Sequence, residues 1–350
     1  MHSNGRFRAQ LFYRFPQLGR FICFVLLLLA VFAGVAPFSG ENFKASAATQ
    51  GGAECVVEVS SRRFLHARNA DTRLPMASTT KILTAIIVIE DCDLDETVKI
   101  PREAEGTEGS SVYLKAGEAY TVRDLLYGLM LRSGNDCAVA LALHHSGSVR
   151  AFAAEMVKRA NEMGAEHSGF TNPHGLPNNG HYTTARDLAL VSAYAMQNET
   201  FEEIVSCKYY EARGWKNKNK MLWQYEGAIG VKTGFTTAAG RCLVTCAERN
   251  GMKLVTVLLN CPQTYERTSE LLNGAYAAYQ MIPLVNPSMP YERLEIKYAF
   301  SYPLTKEELE KVEIHAELNG FSPQAKGEVA GRLSIYLENN LLFSQNLYMI

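Results

Sequence analysis

The stretch that most restricts the fold runs from Pro75-Met76-Ala77-Ser78-Thr79-Thr80-Lys81 straight into the apolar segment Ile82 to Ile89. Ile82, Leu83, Ile86 and Ile87 recur at helical spacing, and Ala85, Val88 and Ile89 carry the apolar surface nearly all the way round. A helix of that kind is buried on every side, so the rest of the chain has to enclose it. Pro75 disfavours helix just before it and marks an entry turn. Residues three apart share a helix face, so the Ser78 hydroxyl and the Lys81 amine can meet there. They would do so at the positive end of the helix dipole, where developing negative charge is stabilised. A serine with a lysine three residues on is common by chance, so the pair acquires meaning only from further parts.

A chain of 350 residues, 47% hydrophobic and 20% charged, is globular and long enough for two domains. Residues 1–48 have the layout of an export signal. Arg6, Arg8, Arg14 and Arg20 precede an apolar run from Phe21 to Val35, and Ala45-Ser46-Ala47-Ala48 offers small residues for cleavage. Two outcomes stay open, cleavage after Ala47 or Ala48, or retention of the apolar segment as a single anchor. Either way the remainder is expected outside the cytoplasm, with membrane contact only through an uncleaved N-terminal segment. That remainder holds 30 basic and 35 acidic residues, which gives no reason to expect a nucleic-acid partner. Cys23 lies in the signal, and Cys55, Cys137, Cys242 and Cys246 sit in apolar patterns as small core residues, so no disulfide framework is expected.

Along the chain, Cys55–Val59 and Phe64–Leu65 read as strands, with short strands also expected at Val98–Ile100 and Val112–Leu114. Thr121 followed by Asp124 starts a helix with Leu125, Leu126, Leu129 and Met130 inside, and Cys137 to Leu143 form the next. Arg132-Ser133-Gly134-Asn135 between them reads as a loop. Helices follow over about Val149–Met163 and Ala185–Met196, the second capped by Thr184, with an ordered Asn-, Pro- and Gly-rich loop at Phe170–Tyr182 between them. His174 and His181 in that loop read as structural, because no third metal ligand stands at a recognisable spacing. A strand begins near Gly230, and Cys242–Ala247 and Leu254–Leu259 are joined through Asn250-Gly251 as a hairpin. Arg267 begins a last helix with Leu271, Leu272 and Ala275 facing in. Residues 286–350 read as a small β domain, in which Val312–Leu318 alternates and Leu333–Leu337 with Asn339-Asn340 form a hairpin.

Three motifs now stand in order: Ser78-Thr-Thr-Lys81, Ser133-Gly-Asn135 and Lys232-Thr-Gly234. Such a trio is shared by penicillin-binding proteins and class A β-lactamases. Longer matches narrow it: Pro75–Ala85, Leu126–Ala142, Asn172-Pro-His-Gly-Leu176 leading to His181–Ala189, and Lys232–Thr236 ending at Ala239-Gly240. Over residues 52–285 the chain resembles the D-alanyl-D-alanine carboxypeptidases, low-molecular-mass penicillin-binding proteins of the bacterial cell wall. The resemblance implies an α+β, β-lactamase/transpeptidase-like catalytic domain over 49–285, an antiparallel sheet with a helical lobe, followed by the β-rich domain over 286–350.

The resemblance also implies a chemistry. Ser78 would attack the penultimate carbonyl of a peptidoglycan stem peptide ending in D-Ala-D-Ala, and β-lactams would be covalent inhibitors. Lys81, kept neutral by burial and by Lys232, would be the base. Ser133 would relay the proton and Asn135 would hold Lys81 and the substrate amide. Lys232 and Thr233 would bind the terminal carboxylate, and the N–H groups of Ser78 and Phe235, beside Gly234, would form the oxyanion hole. Arg267 would be a further carboxylate ligand, or else a surface helix charge. Acyl transfer by side chains calls for no metal or organic cofactor. Residues 169–187 contain no glutamate to activate a deacylating water, which argues against a β-lactamase. A D,D-endopeptidase or a non-catalytic wall-binding or antibiotic-sensing module would use the same fold.

Overall fold

A computed structural model of the chain describes residues 52–287, 294–319 and 325–350. The export signal and Cys23 therefore lie outside the described residues, and among these no helix is long and apolar enough to cross a membrane. The chain divides between Tyr276 and Ala277 into two compact units.

In the first unit, β1 (Ala53–Glu58) and β2 (Phe64–Arg68) precede a 3-10 turn over Ala77–Thr80 and helix α1 (Lys81–Asp91). The short pair β3 (Thr97–Lys99) and β4 (Ala119–Thr121) is followed by helices α2 (Val122–Leu131), α3 (Asn135–Ser146) and α4 (Val149–Glu162). Then come α5 (Ala185–Ala195), α6 (Glu199–Ser206), β5 (Tyr209–Tyr210), β6 (Trp215–Lys216) and α7 (Met221–Gln224). Strands β7 (Ala228–Thr236), β8 (Gly240–Arg249) and β9 (Met252–Leu259) lead into α8 (Thr264–Ala278). The sheet has the order β2-β1-β9-β8-β7 with antiparallel neighbours, so β7 is an edge strand. The chain is α+β, as its sequence implies.

Helix α1 is enclosed as its pattern demands, with Ile82, Leu83, Ala85, Ile86, Ile87 and Val88 all buried. Each large aliphatic side chain there contributes about 1.5–3 kcal/mol by leaving water. Helices α2, α4 and α5 begin where Thr121, Ser148 and Thr184 accept the backbone N–H of Asp124, Ala151 and Asp187. Asn250 and Gly251, both at positive φ, close the β8–β9 hairpin as a two-residue turn requires.

Two readings are corrected, and one helix was not foreseen. Val112–Leu114 is no strand, because the Asp136 carboxylate takes the backbone N–H groups of Val112 and Leu114 that a ladder would need. Asn135 is not in the interhelical loop; it opens α3, and the loop is left with Ser133 at φ 66°. Between residues 197 and 227 the sequence suggested nothing, yet α6, capped by Asn198, buries Phe201, Ile204 and Val205. Phe201, Ile204 and Val205 stand at helical spacing behind that cap, which was the available signal.

The second unit contains β10 (Gln280–Val285), β11 (Leu294–Glu295), β12 (Phe300–Leu304), α9 (Lys306–Leu309), β13 (Val312–Leu318), β14 (Val329–Leu337) and β15 (Asn340–Met349). Sheets β10-β12 and β11-β15-β14-β13 share a core that includes Ile282, Leu304, Ile335 and Leu347. The sequence-based boundary at 285/286 falls after β10, whereas β10 pairs with β12 inside this unit.

Candidate active site

Helix α1 delivers Lys81 into the protein interior. The Lys81 Nζ lies 2.9 Å from Ser78 Oγ, 2.7 Å from Asn135 Oδ1 and 2.6 Å from the carbonyl oxygen of His174. Burial drives its pKa well below the lysine range, and the neighbouring Lys232 adds to this. In its neutral form the amine has two protons and one lone pair, so that with the two carbonyl oxygens taking the protons the lone pair would face the Ser78 hydroxyl.

Each partner is itself held. Asn135 Nδ2 donates to the carbonyl of Glu108, which turns Oδ1 toward Lys81, and its backbone N–H donates to Ser110. Asn172 Oδ1 accepts the N–H of Gly175 and its Nδ2 donates to Leu176, folding the loop that presents the His174 carbonyl. Thr84 ties the same loop to α1 through Pro173. The Thr171 N–H donates to His181 Nδ1, so Nε2 bears the proton and donates to Thr80 Oγ1. Burial, with Lys81 nearby, draws the His174 and His181 pKa values down to about 3 and 4, so both rings are neutral. These histidines buttress the Ser78 turn.

Gly175 sits at φ +94°, and a Cβ there would stand 1.8 Å from the carbonyl oxygen of Ala77. Gly175→Ala is expected to push this loop off the Ser78 turn and to withdraw the His174 carbonyl from Lys81. Turnover by the folded enzyme should fall about a hundredfold, the scale of a misplacement of about 1 Å. An unaltered kcat in the alanine variant would show that the loop does not position Lys81.

Strand β7 closes the other side. A Cβ on Gly234 would lie 3.2 Å from both Met76 O and Ser78 N, so any larger residue would make the serine turn give by a few tenths of an ångström. Lys232 is buried and donates to the carbonyl of Thr233, with its pKa drawn to about 7 by burial and by Lys218. Thr233 is half-buried, and Phe235 exposes 65% of its surface at the rim. Lys81 and Lys232 both cost stability while protonated. In the window between their lowered folded values and the ordinary value near 10.4, the unfolded chain binds more protons, so stability rises with pH there. Ser133 is buried in the loop between α2 and α3.

Arg267 is held by carboxylates of its own. It is buried in α8, with Nε and one NH2 nitrogen on the Glu54 carboxylate at 3.0 and 2.6 Å and the other on Glu270 at 2.8 Å. Three of its five N–H groups are committed to these carboxylates, and its burial excludes the reading as a surface charge. Asp136 is a residue that sequence reasoning passed over. Fully buried, it accepts the Ser111 hydroxyl and the N–H groups of Val112, Leu114 and Cys137, folding the 108–114 loop around Asn135. Its position directly after the Ser-Gly-Asn motif was the available signal.

Comparison with known proteins places this arrangement among relatives. The profile of the family described as D-alanyl-D-alanine carboxypeptidase matches residues 41–263. The D-alanyl-D-alanine carboxypeptidase DacF of Bacillus subtilis is 31% identical over 258 residues, 69% of this chain and 66% of that protein. The D-alanyl-D-alanine carboxypeptidase of Streptomyces sp. strain K15 is 35% identical over 61% of this chain and 82% of its own length. The solved structure of penicillin binding protein 5 from Haemophilus influenzae superposes with a TM-score of 0.71 at 27% identity, covering 91% of this chain and 98% of that one.

Proposed function

Because the chain belongs to the D-alanyl-D-alanine carboxypeptidase family, we propose that it is an exported serine hydrolase that removes the terminal D-alanine from peptidoglycan stem peptides. Lys81 takes the Ser78 proton as Oγ attacks the penultimate carbonyl, and the N–H groups of Ser78 and Phe235 stabilise the oxyanion. As the tetrahedral species collapses, the proton passes from Lys81 through Ser133 to the leaving D-alanine amine. Water, deprotonated in turn by Lys81, attacks the acyl carbonyl, and the proton passes from Lys81 to Ser78 Oγ as the shortened peptide leaves. Lys232 and Thr233 hold the terminal carboxylate, and Asn135 holds Lys81 and the substrate amide.

The observation that carries this reading is the Lys81 amine, buried, 2.9 Å from Ser78 Oγ and braced by two carbonyl oxygens. A lysine kept neutral at that distance is a base for that hydroxyl, and such an arrangement has no structural purpose that an apolar residue would not serve better. The test is intact mass of a soluble protein starting at Thr49 before and after penicillin, with assay of D-alanine released from a D-Ala-D-Ala pentapeptide. One stable adduct together with released D-alanine is expected. An adduct without release would point to a sensor or an endopeptidase, and rapid loss of the adduct with hydrolysed drug to a β-lactamase.

A pH profile follows from the two lysines. The kcat/KM should rise as Lys81 loses its proton, below the ordinary lysine range, and fall as Lys232 loses its own near 7. Lys232→Arg keeps its charge at higher pH and should move the falling limb upward. A limb that stays in place would remove Lys232 from carboxylate binding.

A further inference from the structure

Among the described residues of the first unit four large apolar side chains are exposed, Tyr113, Tyr209, Trp223 and Phe235, and all four are aromatic. Phe235 follows Gly234 on β7, and Tyr113 stands between two residues whose N–H groups are held by Asp136, next to Asn135. Tyr209 and Trp223 belong to a segment with no part in the chemistry at Ser78. In the β5–β6 hairpin, Tyr210 and Trp215 are opposite each other with ring centres 6.2 Å apart, and Tyr210 stacks on Tyr127 of α2 at 3.9 Å. Tyr209 and Lys216, the other cross-strand pair, take the opposite face and are exposed.

The bare face continues past the hairpin. Helix α7 buries Met221 and Leu222 and leaves Trp223 outside, 45% exposed. The Lys216 ammonium lies 5.2 Å from the centre of the Trp223 ring. Lys216 therefore joins two exposed rings, Tyr209 across the hairpin and Trp223 beyond it. Arg132 donates to the Lys216 carbonyl at 3.0 Å and the Lys218 N–H to that of Leu131, so the strip is tied to the end of α2, directly before Ser133. Asn217, buried beneath it, donates to the carbonyls of Val205 and Cys207 and fixes the segment from below.

We propose that Tyr209, Lys216 and Trp223 form a carbohydrate subsite that takes the glycan strand from which the stem peptide hangs. The inference rests on the carboxypeptidase reading above. A pyranose has a face of C–H groups, which packs on an aromatic ring, and a rim of hydroxyl and acetamido oxygens, which accept from an ammonium. A lipid surface would call for exposed leucine or isoleucine, and among the described residues of the first unit neither is exposed. The core of a protein interface is poor in lysine, whereas Lys216 stands between the two rings. In a stem pentapeptide four residues separate the sugar from the carbonyl that Ser78 attacks. Extended, they reach about 13–14 Å, enough to pass from the Ser133 side of the site along the Arg132 side chain to Lys216.

The test compares kcat/KM for a D-Ala-D-Ala pentapeptide carried on a disaccharide of N-acetylglucosamine and N-acetylmuramic acid with that for the free pentapeptide. The wild type should prefer the glycosylated substrate about tenfold, the effect of two ring contacts. Tyr209→Ala/Trp223→Ala should reduce the preference to about twofold or less, and Trp223→Phe should retain most of it. Because the readout is a ratio, any uniform effect on chemistry or on the amount of folded protein cancels. Saturation-transfer NMR with a β-1,4-linked N-acetylglucosamine tetramer gives a reading free of turnover, with contact expected in the wild type and lost in the double variant. A ratio near one or no tetramer contact in the wild type, or either signal undiminished in the double variant, overturns the proposal. If neither substrate releases D-alanine, the carboxypeptidase reading fails while the tetramer still decides the subsite. A concentration-dependent dimer abolished in the double variant would assign the strip to a second copy of the chain and overturn the proposal.

Discussion

Ser78→Ala is expected to abolish both the penicillin adduct and D-alanine release, a loss of about 10⁴-fold or more, with little change in thermal stability. The activity side rests on the serine being the sole nucleophile in contact with the lysine base, since removing a nucleophile of this kind costs as much as dismantling the whole machinery. The stability side rests on what remains. Without the hydroxyl, Lys81 Nζ still has the Asn135 and His174 oxygens, and the 3-10 turn keeps the Thr79 and Thr80 hydroxyls on the carbonyls of Met76 and Ala77. Covalent labelling of the alanine protein by penicillin would remove Ser78 from the mechanism.

Arg267→Leu is expected to do the reverse, lowering stability by about 3–5 kcal/mol while leaving kcat/KM of the folded protein within a few-fold. The Glu54 carboxylate on β1 is fully buried, and Arg267 supplies two of its hydrogen bonds, with His66 bonded at 2.9 Å and Arg68 ion-paired at 3.2 Å. Burial alone would raise the Glu54 pKa; the hydrogen bonds from His66 and Arg267 and the adjacent Arg68 outweigh it and hold the carboxyl far below the usual range. Its folded pKa is thus depressed, so the stabilisation is complete above the ordinary carboxylate value near 4.3 and is lost as pH falls below it. The gap between wild type and Arg267→Leu should narrow over that acid range. Urea unfolding at pH 7 and pH 3 measures it. A large rise in KM at unchanged stability would return Arg267 to the substrate.

The difference between these two residues explains what was legible. The nucleophile and its base lie one helical turn apart in a segment whose apolar pattern demands burial, so their meeting is local and the sequence carries it. The same holds for the caps at Thr121 and Thr184 and for the Asn250-Gly251 turn, where side-chain chemistry and backbone sterics act within three residues. Arg267 depends on a residue 213 positions away. Counting along the chain puts an arginine on a helix, but which way it faces is decided by the strand packed against that helix. Val112–Leu114 had strand composition and lost its strand to Asp136, more than twenty residues on.

By itself, then, the sequence determined the α+β class, the enclosed helix, the order of the three motifs and the family they resemble. Burial patterns and short-range spacing encode those things. Tertiary structure alone decided that the His174 carbonyl braces Lys81, that Gly234 brings an edge strand against the serine turn, and that Arg267 pairs with Glu54. Each of those depends on distances between segments far apart in the chain. Local propensity has no term for them, and only the packed chain fixes them.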